Sequence, residues 1–151
     1  MARHLLVPVD GSPLSERALA YAFDAHDDPS VTALHVIDPG DPGYGSSIDT
    51  DVRTEPAHGS EEWYERAEAA EERLFESAHE LATDYDAEFS TESRVGEPAR
   101  EIVDYAQEGA FDAIVMGSHG RTGPTRLLLG STAELVVGRA PVTVTVVRDE
   151  S

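Results

Sequence analysis

Short apolar runs alternate with longer amphipathic stretches along this chain, and the alternation predicts strands and helices in succession. His4 to Val9 reads as a short apolar strand, after which Ser12 and Pro13 supply an N-cap and a first-turn proline for a helix reaching about Ala25. Val31 to Asp38 is a second strand. Residues 39–59 are rich in Pro, Gly and Asp and carry no apolar period, so they read as a long loop or lid. From Ser60 to Thr83, Ala67, Ala70, Leu74, Ala78 and Leu81 recur at three- and four-residue steps, which predicts a helix with its Glu- and Arg-rich face in solvent. Ala87 to Val95 alternates weakly, as an edge strand does. Pro98 then opens a helix to about Glu108. Asp112 to Met116 and Val142 to Val147 are the last two strands, and between them Ser131-Thr132-Ala133-Glu134 has the spacing of a capping box.

Five strands and four helices in alternation predict one α/β domain over residues 1–151, a doubly wound parallel sheet of order 3-2-1-4-5 with helices on both faces. In such a sheet ligands bind beyond the carboxyl ends of the first and fourth strands, where the direction of growth reverses. Two segments meet there. One is Pro8-Val9-Asp10-Gly11-Ser12. The other begins at Gly117, where Gly117, Gly120, Gly130 and Ser131 form a G-x2-G-x9-G-[ST] spacing directly after the apolar run Ala113 to Met116. Glycines at a strand end let the backbone turn and approach an anion, and the following helix offers unpaired N–H groups and the positive end of its dipole. The spacing reads as a phosphate site. An aspartate opposite it suits ribose hydroxyls as an acceptor, although Asp10 is also compatible with a polar residue ahead of a helix cap.

Composition narrows the setting. The 151 residues include 30 acids against 11 arginines, with no lysine and no cysteine, for a net charge of −19. Disulfides and thiolate metal sites are excluded, and the histidines show no pair at ligand spacing. The absence of lysine removes a Walker-type phosphate loop, and no G-x-G-x-x-G is present. A lysine-free acidic surface fits a chain that stays soluble in concentrated salt, which we read as halophilic adaptation. Nucleic-acid and membrane-surface partners are not expected, because both need basic patches. No apolar run approaches the ~20 residues of a membrane span, so a cytoplasmic protein is expected. Within this acidic chain, residues 113–147 carry three arginines, Arg121, Arg126 and Arg139, and one acid, Glu134. This local reversal favours a phosphate-facing surface.

The blocks VPVDGS at 7–12, ALHVID at 33–38, VGEP at 95–98, IVMGSHGRTG at 114–123, LLLGSTAELVV at 127–137 and APVTVTVV at 140–147 together resemble the universal stress protein family over almost the whole chain. The resemblance implies an ATP-binding regulatory or stress-response protein and a homodimer. Carried over by position, Asp10 accepts from the ribose with Pro8 and Val9 beside it, and Val36 presents its backbone to adenine. Met116, Gly117, Ser118, His119, Gly120 and Arg121 form the first half of the phosphate loop, and Gly130, Ser131 and Thr132 close it. ATP is the expected ligand, with ADP or AMP as variants, and Mg2+ or Mn2+ arrives only with the nucleotide. Two other classes stay open: a slow ATPase or self-phosphorylating protein, and a dimerising module with a vestigial pocket. The uncharged strand Val142 to Val147 at the sheet edge is the expected dimer contact, since a bare edge of this kind invites aggregation.

Overall fold

The computed structural model describes residues 3–39, 60–118 and 129–148. Among them are five strands and four helices in alternation: β1 (His4–Pro8), α1 (Pro13–Asp24), β2 (Ser30–Ile37), α2 (Glu61–Ala82), β3 (Glu88–Val95), α3 (Pro98–Glu108), β4 (Ala113–Gly117), α4 (Ser131–Arg139) and β5 (Thr143–Val147). The strands form one parallel sheet in the order β3-β2-β1-β4-β5. Both the doubly wound order and the edge positions of β3 and β5 follow the sequence reading. Strand limits shift by about one residue from those expected, which is the usual uncertainty of element ends.

The helices begin where local chemistry lets them. Ser12 caps α1 by accepting from Ser15 N at 3.2 Å, and Pro13 occupies the first helical position, where a missing N–H costs nothing. Ser60 caps α2 through Trp63 N at 3.1 Å, and Glu97 caps α3 through Arg100 N at 3.1 Å ahead of Pro98. The strands split the core between the two faces of the sheet. Leu5, Val7, Val9, Val31, Ala33, Ala113 and Val115 pack toward α1 and α2. Leu6, Leu34, Ile114 and Met116 pack on the other side with Ala99, Ile102 and Ala106 of α3 and Ala133 and Val136 of α4. Period-two alternation in strands buried on both faces produces this division. Each fully buried Leu or Ile, such as Leu5, Leu6 and Ile114, contributes about 1.5–3 kcal/mol.

Helix α2 departs from expectation. Its apolar stripe begins a turn earlier, at Trp63, which is 2 % exposed and packs with Ile37 and Ala67. Glu71, four residues after Ala67, lies on the buried side and is only 8 % exposed. The helix face expected in solvent therefore loses one carboxyl group to the interior. The reason is local: His35 of β2 and Ser93 of β3 give that carboxyl hydrogen-bond partners, which removes most of the cost of burying it.

Candidate functional site

Two chain segments build the crevice at the carboxyl end of the sheet. The first is the turn after β1. Val9 N donates to the Leu34 carbonyl of β2 at 2.9 Å, extending the sheet by one bond, and the chain then turns. Asp10 Oδ1 accepts from Ser12 N at 2.9 Å, while Ser15 Oγ accepts from Asp10 N at 3.3 Å and donates to the Ser12 carbonyl at 3.0 Å. Gly11 carries φ +83°, a left-handed conformation that side chains disfavour. Asp10 thus serves the turn, as its simpler reading holds. A carboxylate accepts at two oxygens, so capacity for a further donor remains.

The second segment follows β4. Met116 is buried against α3 and α4. Gly117 lies so close to α1 that a Cβ there would stand 2.9 Å from Leu14 Cβ and 3.2 Å from its carbonyl carbon. The missing side chain brings the end of β4 against the first turn of α1. Ser118 N then donates to the Val147 carbonyl of β5 at 2.8 Å, and the Ser118 carbonyl accepts from Gly130 N at 2.7 Å. The two halves of the glycine spacing are joined by that bond. His119, Gly120 and Arg121, together with residues 40–59, lie outside the described residues.

At the start of α4 the structure corrects one expectation. Gly130, not Ser131, is the N-cap, and among the described residues no side chain caps this helix. Ser131 and Thr132 are its first two residues, so their N–H groups belong to the open first turn. The capping-box spacing fails because the box needs its Ser in the extended cap conformation, and Gly130 takes that place with φ −68° and ψ 162°. Beside this opening Ser118 is completely enclosed, and its Oγ has no hydrogen-bond partner among the described residues. Among the described helices only α4 begins without a side-chain cap.

Val36 is half-buried on β2, its side chain against the α3–α4 core, and it pairs in register with Arg94 of β3. It stands two residues beyond Leu34, whose carbonyl receives Val9. Its side chain is a core side chain, so any contact with a ligand comes from the main chain, which leaves no trace in residue choice. On the other flank of the β1–α1 turn, a groove of about 420 Å³ runs between α1 and α2, lined by Asp10, Gly11, Ser15, Arg73 and Leu74 among others. No residue of β4 or α4 lines it.

Sequence reasoning missed the polar cluster beneath this site. His35 Nδ1 and Ser93 Oγ both meet Glu71 Oε2, at 2.6 and 2.8 Å, with His35 2 % exposed. A signal existed: His35 is the one ionisable residue of β2, and Glu71 keeps the helical step of the apolar stripe. Among the described residues no group of three or more His, Asp or Glu is arranged to hold a metal ion. No described helix is long and apolar enough to cross a membrane.

Comparison with known proteins agrees with this geometry. The model of the universal stress protein family matches residues 1–148. Universal stress protein MJ0531 of Methanocaldococcus jannaschii is 35 % identical over 150 residues, covering 97 % of this chain and 82 % of that protein. The solved structure of MJ0577 superposes with a TM-score of 0.74 at 29 % identity, covering 100 % of this chain and 99 % of that one; MJ0577 is a universal stress protein of the same organism. A universal stress protein from Archaeoglobus fulgidus, solved in complex with dAMP, shares the fold with a TM-score of 0.64 at 23 % identity, covering 99 % of this chain and 98 % of that one. With nearly every residue matched, a doubly wound sheet in the expected order and the glycine spacing at its switch point, this chain belongs to the universal stress protein family.

Proposed function

We propose that this protein binds ATP, or a related adenine nucleotide, across the crevice between the β1–α1 turn and the start of α4, and acts as a regulatory protein whose occupancy alters its partners. One observation carries the reading. Among the described residues the N-terminus of α4 lacks a side-chain cap, and the enclosed Ser118 Oγ next to Gly130 lacks a partner. An anion at that position supplies the missing acceptors for the first-turn N–H groups and for the hydroxyl. Gly117, Gly130, Ser131 and Thr132 then face phosphate, Asp10 the ribose and the Val36 main chain the base. The dAMP complex of a protein with this fold supports an adenine nucleotide as the ligand class. A divalent ion, if present, accompanies the phosphates. The lysine-free chain at −19 supports a cytoplasm rich in salt as the working environment.

Equilibrium dialysis with ATP in molar salt tests this directly. Saturable binding is expected, and at a hundredfold excess over Kd the nucleotide stabilises the fold by about 2.7 kcal/mol. For a domain of this size that raises the melting temperature by roughly 5–10 °C. No saturation up to millimolar ATP, together with nucleotide-free purified protein, defeats the reading.

The same proposal includes a homodimer through β5. Among the described strands β5 pairs only with β4, and its valines Val144, Val146 and Val147 remain partly exposed. Leu135 and Val137 of α4, the helix that precedes β5, are 37 % and 47 % exposed, so apolar surface is also present on that helix. Pairing with a second copy buries both. Sedimentation at micromolar protein in high salt is expected to give twice the chain mass of 16.3 kDa; a stable monomer under those conditions contradicts the dimer.

A further inference from the structure

We infer that Glu71 is a positioning residue for the nucleotide site, an inference that rests on the function proposed above. A single oxygen, Glu71 Oε2, joins three elements: α2 through its own backbone, β2 through His35 and β3 through Ser93. His35 and Ser93 are register partners in the sheet, so the carboxyl closes a polar bridge over adjacent strands.

Both flanks of the site hang from this bridge. His35 immediately precedes Val36, the residue whose main chain faces the base. Leu74 follows Glu71 by one turn of α2, and its Cδ1 lies 3.5 Å from where a Cβ on Gly11 would stand. Leu74 therefore stands beside the turn that presents Asp10, lining the same groove as Asp10 and Gly11. Elsewhere α2 packs Ala67, Leu74, Phe75 and Ala78 on the core among the described residues, and such side-chain packing tolerates small slides and rotations of the helix. Hydrogen bonds of 2.6 and 2.8 Å to one oxygen do not. The consequence is that the rotation of α2, the position of Leu74 and the shape of the Asp10–Ser12 turn are set together.

Loss of a merely stabilising Glu71 lowers folding stability without touching the unliganded turn. A positioning Glu71 sets the turn even where the protein is fully folded. Two readouts separate these roles: ATP affinity by equilibrium dialysis, and amide hydrogen exchange at residues 10–12 in nucleotide-free protein under conditions where all variants are folded. Glu71→Ala is expected to weaken ATP binding by about tenfold and to speed exchange at residues 10–12 by a similar factor. Glu71→Gln keeps an acceptor oxygen at the same reach and is expected to stay within about threefold of wild type. Glu71→Asp withdraws the carboxyl by one methylene and carries the same prediction as Ala if the Ala variant does not fold. Leu81→Ala, farther along α2 in the same core, serves as the control that destabilises the helix without moving the bridge.

Wild-type exchange at residues 10–12 in both Glu71→Ala and Glu71→Asp overturns the inference, as does equal acceleration in Leu81→Ala. Failure of the wild-type protein to bind ATP counts against the proposed function instead, and the exchange experiment still decides whether Glu71 holds the turn.

Discussion

Gly117→Ala is expected to cost about 1–3 kcal/mol of folding stability even with no ligand present. The new Cβ would lie 2.9 Å from Leu14 Cβ and 3.2–3.3 Å from the Leu14 carbonyl group. Leu14 is 3 % exposed in the first turn of α1, held by the Ser12 cap and the Ser15 hydrogen bonds. Neither a rotamer change nor a loose side-chain end relieves a contact with main-chain atoms and a Cβ, so β4 and α1 must move apart. Gly117 thus belongs to the glycine spacing of the proposed site and to the packing of the sheet at once. Loss of nucleotide binding in this variant is not by itself proof of a ligand contact. Urea titration is the measurement: the midpoint should fall while the slope stays unchanged. An unaltered midpoint means that α1 yields easily, and the close approach then has no energetic meaning.

Ser118→Ala is expected to act in opposite directions on the empty and the occupied protein. The hydroxyl is fully enclosed and has no partner among the described residues, and a buried polar group left unsatisfied costs about 1–3 kcal/mol. Removing only the Oγ relieves that cost while the Cβ stays in place, so nucleotide-free protein should gain on the order of 1 kcal/mol. A hydrogen bond to a charged group contributes about 1.5–3 kcal/mol, so if phosphate is the missing partner ATP affinity should fall roughly ten- to a hundredfold. Paired melting curves with and without ATP read both effects in one experiment. Higher stability with unchanged ATP affinity removes Ser118 from the site. Lower stability without nucleotide shows that the hydroxyl is satisfied inside the protein.

Much of the fold is legible in residue order. Ser12 with Pro13, Ser60, and Glu97 with Pro98 mark helix starts that the structure reproduces, because capping is chemistry between neighbours a few residues apart. The apolar runs of β1, β2 and β4 mark interior strands, since only such strands are covered on both faces. Strict alternation of elements then leaves few right-handed topologies, and the order 3-2-1-4-5 is the one adopted. At the crevice, the glycine spacing and Asp10 were visible for the same reason: turns and close approaches restrict residue type locally.

Other features lay beyond one-dimensional reading because the competing partners are distant in the chain. The Ser131–Glu134 spacing is that of a capping box, yet the bond between Gly130 N and the Ser118 carbonyl sets Gly130 as the cap and leaves the helix open to an external acceptor. Glu71 resembles the other glutamates of α2 in sequence. Its burial follows from His35, 36 residues earlier, and Ser93, 22 residues later. Gly117 advertises a flexible turn, whereas its contact with Leu14 exists only once β4 pairs beside β1. By itself the sequence determined the elements, their order, the acidic lysine-free character and the end of the sheet where the proposed site lies, all properties of local pattern and composition. Tertiary structure alone decided which hydroxyl is left without a partner, which helix start is open and which carboxyl is drawn inside. Those depend on hydrogen-bond accounting between segments far apart in the chain, which closes only when the sheet has assembled.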